Sequence, residues 1–505
     1  MSEPIVPPIV KNNRKVETIP FTVFFATFGI IVPIFSLTVL PLSVAFQLGR
    51  FLCKYTLGRA FNGSRWNYND SGFQVESEQR KPLKERTYDV VVLGATGFTG
   101  GLAVRHLIQT YGVNKGTVTW AIAGRSQKKL DGFKEELSND LMDDSALKIP
   151  TIVVDTSKPS SMPNLVQNTR VVATTAGPYS LYGSSVVEFC AKFGTHYVDI
   201  TGEIDWVKQM ADRYQTTAEQ TRAKIIPFCG HDSIPWDVMV MKLQDTLQEH
   251  CKDNLKSVEF WDEMKGGFAG GSMATLFAGT DGKLPSSPNT QPDFFKRSSC
   301  GSESTHKTIK KFPIVPEKVV SPWDQRKDSK CRWAIPFALA EANAKVVSWS
   351  RALRGTGLMT LTYSEKWVHS DFKTAATIYA IITMMMLVLL NPLTLALAKR
   401  KFTQPGDGPS IEAMEKKHYL QIAAEGVGEK GNRVEAMMYF PKDSGCMETA
   451  RMLVEAALCL ALESDSLPHN EGGFWSPSTG LGNTLVKRIL DTGTTLDIRV
   501  IPNSK

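Results

Sequence analysis

The stretch "YDVVVLGATGFTGGLAV", Tyr88 to Val104, decides how the rest of the chain is interpreted. A short β-branched run leads into three glycines, Gly94, Gly97 and Gly100, and an apolar stripe of helical spacing follows them. Glycines between a strand and a helix allow a sharp turn and let the backbone approach a pyrophosphate, which the helix N-terminus then holds. The stretch is therefore predicted to bind a dinucleotide.

The turn departs from the usual fingerprint at one position. Its spacing is G-x-x-G-x-x-G, with Thr96 where a second glycine ordinarily stands, so the turn alone is a weak signal. The next predicted strand strengthens it, because "TVTWAIAGRSQKKL" ends at Arg125 and Ser126 instead of an acidic residue. An acidic residue there would bind the ribose hydroxyl of NAD, whereas a cation suits the 2′-phosphate of NADP(H). The alternative is a surface arginine without a ligand.

Strands and helices alternate beyond this unit, in "KIPTIVVDTS", "TRVVATTAGPYSLYGSSVVEFCAKFG", "THYVDITGE" and "AKIIPFCGHDSIPWDVMVMKL". Such alternation predicts an α/β fold with a Rossmann-type doubly wound parallel sheet, whose ligands bind at the carboxyl ends of the strands. The residues expected to bind the cofactor at that edge are Gly94, Thr96, Gly97, Phe98, Thr99, Gly100, Arg125, Ser126, Asp155, Ala176, Gly177, Pro178 and Tyr179.

A bound nicotinamide would carry out hydride transfer, and the protein would supply orientation and a proton. Candidates for the proton donor are Tyr179, Asp199 and His231, because each lies near the end of a predicted strand at that edge. Each has a structural alternative: Tyr179 packs on the nicotinamide, Asp199 orients Thr201, and His231 occupies a turn without a catalytic role. No histidines or cysteines show metal-ligand spacing, so no metal site is expected.

A long apolar segment precedes this region. "IPFTVFFATFGIIVPIFSLTVLPLSVAFQLG", Ile19 to Gly49, has no charged residue and is long enough to span a bilayer core of about 30 Å. Pro33 and Pro41 interrupt it. A bent or hairpin insertion, a cleaved targeting segment and buried core helices are therefore alternatives to a straight span.

A second apolar segment is "TAATIYAIITMMMLVLLNPLTLALA", Thr374 to Ala398, followed directly by the basic residues 399–401. Asn391 and Pro392 interrupt it, which makes a span marginal. This pattern favours a segment that lies in the membrane interface, with its basic end near anionic headgroups. The alternative is a pair of helices buried in the protein.

Composition excludes several classes of protein. The 505 residues suggest two or three domains, and the net charge of +7 is too diffuse for nucleic-acid binding. The eight cysteines form no C-x-x-C pair, which is typical of reduced thiols in a cytosol-facing protein. The sequence leaves the oligomeric state open, and a homo-oligomer is one of the alternatives.

Together these motifs resemble the saccharopine dehydrogenase-like oxidoreductases, a family that includes the bacterial trans-acting enoyl reductases. The resemblance is carried by "VVLGATGFTGGLAV", "AGRSQKKL", "TTAGPYSLYG", "YVDITGE" and "CGHDSIPWDV", and it continues through "GGFAGGSMATL", "WAIPFALAEANAKVVSWSRAL" and "GGFWSPSTGLG". It covers roughly Thr87 to Ile498, is interrupted by the second apolar segment and leaves out the N-terminal one. It implies an NADP(H)-binding first domain and a second α/β domain whose sheet covers the cleft.

The expected organisation has six parts: an N-terminal tail and membrane anchor (1–50), a linker (51–86), an NADP-binding Rossmann domain (87–238), an α/β substrate domain (239–373), an apolar membrane-associated segment (374–401) and a C-terminal region that packs back on the core (402–505).

Together with the two apolar segments, the resemblance implies a membrane-associated NADP(H)-dependent oxidoreductase that acts on a lipid or lipid-linked substrate. The expected location is the endoplasmic reticulum, a lipid droplet or another organelle membrane, with the catalytic domain facing the cytosol. One alternative is a catalytically inactive NADP-binding scaffold on such a surface. The other is a saccharopine-type amino-acid dehydrogenase, which is disfavoured because the sequence shows no cation cluster for several substrate carboxylates.

Overall fold

The computed structural model describes residues 68–76, 80–114, 116–266, 317–319, 332–337, 339–355, 361–390 and 408–501. The predicted N-terminal anchor therefore lies outside the described residues. The chain divides into two compact units, Met1–Ser64 with Met385–Leu395, and Arg65–Met384 with Ala396–Lys505. Of the first unit, only the end of one helix is described. The contacts given below belong to the second unit.

The first sheet is the predicted Rossmann-type sheet and has seven parallel strands. In spatial order they are β3 (Thr151–Val153), β2 (Trp120–Gly124), β1 (Tyr88–Leu93), β4 (Thr169–Thr174), β5 (His196–Asp199), β6 (Lys224–Ile226) and β13 (Gly473–Phe474). The chain leaves β1 toward β2 on one side and returns to β4 on the other. The crevice at the carboxyl ends of β1 and β4 is therefore the topological switch point, where such sheets bind ligands.

Helices connect these strands and cover both faces of the sheet. They are α1 (Phe98–Tyr111), α2 (Gln127–Leu141), α3 (Met162–Val166), α4 (Tyr179–Tyr182), α5 (Ser184–Phe193), α6 (Ile204–Thr221) and α7 (Ile234–Cys251). Because Val90 and Val91 point to opposite faces and both are buried, β1 reads as a continuous apolar run. Helix α1 is capped at its C-terminal end by Gly112.

The second sheet mixes parallel and antiparallel strands. In spatial order they are β14 (Thr495–Ile501), β12 (Arg433–Phe440), β11 (Tyr419–Gly428), β7 (Leu255–Lys265), β10 (Thr362–His369), β9 (Arg332–Pro336) and β8 (Glu317–Val319). Among these described strands, only β7 and β10 are parallel neighbours. The expected substrate domain supplies β7 to β10, and the expected C-terminal region supplies the other three strands.

The two sheets share α7. This helix begins at Ile234, just after the end of β6, and packs against β7, β11 and β12. The boundary expected at residue 238 therefore falls inside a helix instead of in a linker. The loop before α7 consequently lies both at the cofactor edge of the first sheet and next to the second sheet.

The remaining helices are α8 (Ala340–Arg354), α9 (Phe372–Leu390), α10 (Ile411–Lys416), α11 (Thr449–Leu462) and α12 (Pro477–Asp491). Helix α11 packs on β1, β4 and β5 of the first sheet. Helix α9 contains the second apolar segment as far as Leu390, and the rest of that segment lies outside the described residues. Among the helices that are described, none is both long and apolar enough to cross a membrane.

The expected linker includes a segment held against the first domain. The Glu188 carboxylate on α5 is buried and accepts hydrogen bonds from the Tyr68 hydroxyl at 2.5 Å and the Ser71 backbone N–H at 3.2 Å. The Phe73 ring lies 5.2 Å from the Phe189 ring. These contacts fix the path of residues 68–76 along α5.

Candidate functional site

The glycine turn has the geometry of a phosphate-binding loop. Gly94 has a φ of +87°, which favours glycine, and a Cβ built there would lie 2.9 Å from Thr175 Oγ1. A Cβ at Gly100 would collide with the Gly94 carbonyl oxygen and lie 2.8 Å from Thr175 Oγ1. Gly97 is the N-cap of α1 and brings no side chain to occupy the first N–H groups of the helix. These donors are therefore left at the edge where a pyrophosphate would bind.

The other predicted residues of the turn lie at its surface. Thr96 is exposed, and Phe98 and Thr99 are half-buried. The Phe98 ring lies against Gly408, where an added side chain would overlap the ring. The segment just before α10 therefore packs against the glycine turn, which the sequence did not reveal.

Arg125, Ser126 and Asp155 lie at the ends of β2 and β3. Hydrogen bonds from Ser157 lower the pKa of Asp155, and the nearby charge of Arg125 lowers it further. Ser126 is the N-cap of α2, where its Oγ accepts a hydrogen bond from the Lys129 backbone N–H at 3.4 Å. Arg125 is exposed, so its guanidinium is accessible to a 2′-phosphate at this edge.

The loop between β4 and α4 forms the other side of the crevice. It contains Ala176, Gly177 and Pro178, and the Gly177–Pro178 peptide bond is cis. The Glu203 carboxylate accepts a hydrogen bond from the Tyr179 backbone N–H at 2.7 Å. Glu203, from the loop after β5, thus anchors the start of α4 and holds this loop at the strand ends.

Tyr179 and Asp199 lie inside the first domain. The Tyr179 hydroxyl donates to the Thr174 carbonyl oxygen at 3.1 Å and accepts from the Ile200 N–H at 3.3 Å. Asp199 is fully buried and accepts a hydrogen bond from the Tyr197 hydroxyl at 2.7 Å. Burial raises the pKa of Asp199 to about 7. Because both side chains find their partners within the protein, the geometry supports a structural role for each instead of the predicted proton transfer.

His231 differs from these two candidates because one ring nitrogen lacks a partner. The side chain is only 3% exposed, and its Nδ1 lies 3.0 Å from Asp232 Oδ1. Its Nε2 is buried without a hydrogen-bond partner, and its ring packs edge-on against Trp236 at 5.2 Å. A buried polar atom left unpaired requires an explanation, and a ligand is one. His231 therefore remains a candidate for contact with substrate or cofactor.

Two carboxyls that sequence reasoning missed lie on the neighbouring strands β7 and β10. Asp262 and Glu365 are 0% and 1% exposed. Glu365 accepts hydrogen bonds from the Tyr363 hydroxyl at 2.5 Å and the Asn343 amide at 2.9 Å. Asp262 lies beside Glu365 and close to the Trp236 indole N–H, yet neither of its oxygens has a partner with full hydrogen-bond geometry. Asp262 is thus the less completely hydrogen-bonded carboxyl of the pair.

The surroundings favour the protonated form of the pair. Burial raises the pKa of Asp262 well above its usual value, and the neighbouring Glu365 raises it further. Burial also raises the pKa of Glu365, and Asp232 adds to this effect. Two adjacent buried carboxyls cannot both ionise without a large electrostatic cost. The pair therefore retains at least one proton at neutral pH and can donate a hydrogen bond.

Aromatic side chains surround the carboxyl pair. Trp367 lies directly opposite Asp262 in the ladder between β7 and β10. The Phe337 ring lies 5.6 Å from that of Trp236 and 6.3 Å from that of Trp367, and the His369 ring lies 5.0 Å from Trp367. A largely apolar wall with a few converging polar atoms is typical of small-molecule sites. Among the described residues, no three His, Cys, Asp or Glu side chains are arranged to hold a metal ion.

Comparisons with known proteins identify the first domain. The family model described as the saccharopine dehydrogenase NADP binding domain matches residues 90–226. This span runs from β1 to β6 and contains the glycine turn, Arg125 and the loop after β4. The first domain is therefore an NADP-binding domain, in agreement with the prediction.

Relatives match over much more of the chain. The trans-acting enoyl reductase of Mycobacterium bovis is 30% identical over 425 residues, which cover 81% of this chain and 97% of that protein. The trans-acting enoyl reductase of Mycobacterium leprae is 28% identical over 428 residues, with the same coverage.

Among solved structures, saccharopine dehydrogenase (L-Glu forming) from Saccharomyces cerevisiae is similar with a TM-score of 0.49 and 11% identity, covering 82% of this chain and 99% of that one. Homospermidine synthase from Legionella pneumophila in complex with NAD has a TM-score of 0.45 and 11% identity, covering 84% and 93%. The match to the cofactor domain and the 30% identity along an enoyl reductase show that this chain belongs to the saccharopine dehydrogenase-like NADP-dependent oxidoreductases that include the trans-acting enoyl reductases.

Proposed function

We propose that this oxidoreductase uses NADPH to reduce a carbon–carbon double bond, conjugated to a carbonyl, in a lipid or lipid-linked substrate. The observation that carries the proposal is the match to proteins named trans-acting enoyl reductase over 97% of their length. The exposed Arg125 beside the glycine turn supports NADPH as the reductant. The nicotinamide would supply the hydride, and the protein would bind the carbonyl and provide a proton.

The apolar segments support a lipid-like substrate and a membrane location. Phe372 and Ile381 on α9 are 51% and 44% exposed, although α9 is strongly apolar. Exposed apolar area of this kind marks a binding surface for a partner or a membrane. Helix α9 directly follows β10, which carries Glu365 and Trp367. We place the protein on the endoplasmic reticulum, a lipid droplet or another organelle membrane, with its NADP-binding domain in the cytosol.

The polar groups opposite the cofactor edge argue against an amino-acid dicarboxylate as substrate. Asp262 and Glu365 are carboxyls, and if either ionised, its negative charge would repel a carboxylate of the substrate. A neutral carbonyl suits a protonated carboxyl pair better. An inactive scaffold would need only the cofactor edge, whereas the buried and unpaired His231 Nε2 favours a second ligand.

Cofactor preference tests the first half of the proposal. NADPH and NADH are titrated by nucleotide fluorescence into the full chain reconstituted with lipid vesicles, for the wild type, Arg125→Ala and Lys208→Ala. Lys208 forms an exposed ion pair with Asp212 on α6. The Lys208→Ala variant is therefore a control that, like Arg125→Ala, removes one positive charge. We expect Arg125→Ala to weaken NADPH binding about tenfold or more, because charged hydrogen bonds contribute about 1.5–3 kcal/mol. NADH binding and the Lys208→Ala variant should be little changed.

The second half is tested by NADPH oxidation in the presence of a long-chain trans-enoyl thioester of N-acetylcysteamine. Oxidation that requires the double bond, and fails with the saturated thioester, is the expected result. Equal affinity for NADPH and NADH, unaffected by Arg125→Ala, would show that Arg125 does not bind the 2′-phosphate. Tight NADPH binding without oxidation by any enoyl thioester would favour the scaffold alternative.

A further inference from the structure

We propose that Asp262 and Glu365 together bind the carbonyl oxygen of the substrate and supply the proton that completes its reduction. This assignment rests on the proposed function and names an acid other than the predicted candidates Tyr179, Asp199 and His231. Tyr179 and Asp199 are both paired internally, whereas the Asp262 oxygens have no partner with full hydrogen-bond geometry.

The position of the pair relative to the cofactor edge is set by α7. This helix starts at Ile234, after the loop that follows β6, which places its first turn near the carboxyl edge of the first sheet, where the nicotinamide is expected. Trp236, in that first turn, packs against His231 on one side, and its indole N–H lies near Asp262, where it partly offsets the raised pKa of that carboxyl. Asp232, next to His231, in turn raises the pKa of Glu365. The pair and the cofactor edge therefore adjoin one another.

Unpaired polar atoms converge on this position. They are Nε2 of His231, Nε1 of Trp367 and Nε2 of His369, all buried and without a hydrogen-bond partner, whereas a proton held by the pair lets Asp262 hydrogen-bond to Glu365. Native proteins leave few such atoms, because each costs about 1–3 kcal/mol. Asp262 and Trp367 are ladder partners, and the His369 ring lies 5.0 Å from Trp367. A ligand with a carbonyl oxygen on an otherwise apolar body would satisfy several of these atoms at once.

Three groups influence the charge of the carboxyls. Tyr363 and Asn343 donate hydrogen bonds to Glu365, and the negative charge of Asp232, in the loop before α7, raises the pKa of Glu365. None of these three is a cation. A carboxyl pair in this environment keeps a shared proton instead of forming an ion pair.

The proposed reaction balances as follows. Hydride passes from NADPH to the β-carbon of the enoyl group, and the electron pair of the double bond moves toward the carbonyl, whose oxygen gains negative charge. The protonated pair stabilises this oxygen through its hydrogen bond and delivers its proton, which ends on the α-carbon. The products are the saturated carbonyl compound, NADP⁺ and an ionised pair that takes a new proton from water. Net consumption is one NADPH and one proton per double bond.

Infrared spectroscopy tests the pair without requiring turnover. The full chain with bound NADP⁺ is compared with Asp262→Asn, Glu365→Gln and Glu263→Gln at neutral pH. Glu263 neighbours Asp262 in the chain but points to the opposite face of β7, so it is the matched control. We expect the wild type to show the C=O band of a protonated carboxyl, and the saturated thioester should shift this band. Either site variant should alter the band, whereas Glu263→Gln should leave it intact.

Kinetics provide the second readout. Both site variants should bind NADPH within about twofold of wild type, while kcat with the enoyl thioester falls about 100-fold or more, as expected for loss of a general acid. The proposal is overturned if the carboxyl band is absent or does not respond to the thioester, or if both variants keep kcat within about threefold. An intact infrared response in a protein that never oxidises NADPH would overturn the proposed reaction and leave the pair as a carbonyl-binding site.

Discussion

At the scale of single residues, the glycine turn is limited by contacts that differ from one glycine to the next. A Cβ at Gly100 would collide with the Gly94 carbonyl oxygen, whereas a Cβ at Gly97 would lie 3.3 Å from the same oxygen. Gly132 on α2, by contrast, has no atom within 4 Å of an added Cβ. The three glycines are evenly spaced in the sequence, but in the structure an added Cβ would meet different contacts at each of them.

Gly100→Ala should abolish measurable NADPH binding, because α1 must move away from the turn to accommodate the methyl group. Gly132→Ala is the matched control in an exposed helical position, where alanine is expected to stabilise by about 0.5–1 kcal/mol. Fluorescence titration and thermal unfolding of both variants check this. NADPH binding by Gly100→Ala at wild-type strength would show that the turn does not hold the pyrophosphate.

The carboxyl pair should make stability depend on pH. A raised pKa means that the folded state holds the proton more tightly than the unfolded chain does. This contribution is complete below the unfolded pKa, at about pH 4, and is lost as the pH rises through the folded pKa. Asp262→Asn removes one titrating group, so the variant should lose less stability than wild type between weakly acidic and weakly alkaline pH.

Thermal midpoints across that range provide the measurement, with the exposed Asp212→Asn as control. Identical pH dependence in wild type and Asp262→Asn would show that the pair is not protonated in the folded protein.

Sequence reasoning found the glycine turn and Arg125 because their signal is local. It could not distinguish Tyr179 and Asp199 from catalytic groups, since each has a hydrogen-bond partner from a distant part of the chain: the Ile200 N–H for Tyr179 and the Phe228 N–H for Asp199. For Asp262, a usable signal was present in the alternation of β7. Phe260 and Asp262 share a face of that strand, and Phe260 belongs to the core, so the carboxylate had to be buried as well.

At the scale of secondary-structure elements, α11 ties the end of the chain to the cofactor domain. Its Glu455 is fully buried and lies 2.8 Å from His106 Nε2 on α1, and it accepts hydrogen bonds from Tyr111 at 2.9 Å and Arg488 at 2.8 Å. Burial raises the pKa of Glu455, but the hydrogen bond from His106 and the charge of Arg488 outweigh it and leave the pKa lowered. This cluster holds α1, α11 and α12 together.

Glu455→Gln should destabilise the protein by about 3 kcal/mol, because it leaves the buried end of Arg488 without its full counter-charge. Urea unfolding at neutral pH measures the effect. Glu412→Gln, which breaks only an exposed pair with Lys416, should change stability by less than about 1 kcal/mol. Because the pKa of Glu455 is lowered, its contribution should be present above about pH 4 and lost as the pH falls below that value. Equal effects of the two variants would contradict this.

Element boundaries were less predictable than element types. The alternation of strands and helices up to α7 was predictable from the sequence, because each strand is buried on both faces and is followed by its own helix. The second sheet was not, because β7 pairs with β10 on one side and with β11 on the other, across long intervening stretches of chain. Such long-range pairing leaves no local pattern, so the sequence did not show that the C-terminal region, expected to pack back on the core, supplies three strands of this sheet.

At the scale of the whole molecule, two apolar segments accompany the oxidoreductase core. One, Ile19–Gly49, lies outside the described residues. The other, Thr374 to Ala398, begins in α9, on which Phe372 and Ile381 are exposed. The sequence identified both segments from composition alone. Whether a segment enters a membrane depends on what covers its apolar face, which composition does not specify.

Vesicle flotation tests the membrane assignment of α9. The full chain should float with vesicles that contain anionic lipid, and Ile381→Asp should reduce the floating fraction several-fold, because a buried carboxylate is costly in an apolar interface. Leu462→Asp, at a partly exposed apolar residue that ends α11, is the control and should float like wild type. Equal flotation of both variants would exclude α9 as a membrane contact.

The most direct measurement is the fate of the hydride. The full chain, reconstituted with lipid vesicles, is given NADPH deuterated at the transferred position of the nicotinamide and a long-chain trans-enoyl thioester, and the product is examined by mass spectrometry. We predict one deuterium at the β-carbon and a solvent-derived hydrogen at the α-carbon. A saturated product without deuterium, or NADPH consumption with the double bond intact, would contradict the assignment of this chain as an NADPH-dependent enoyl reductase.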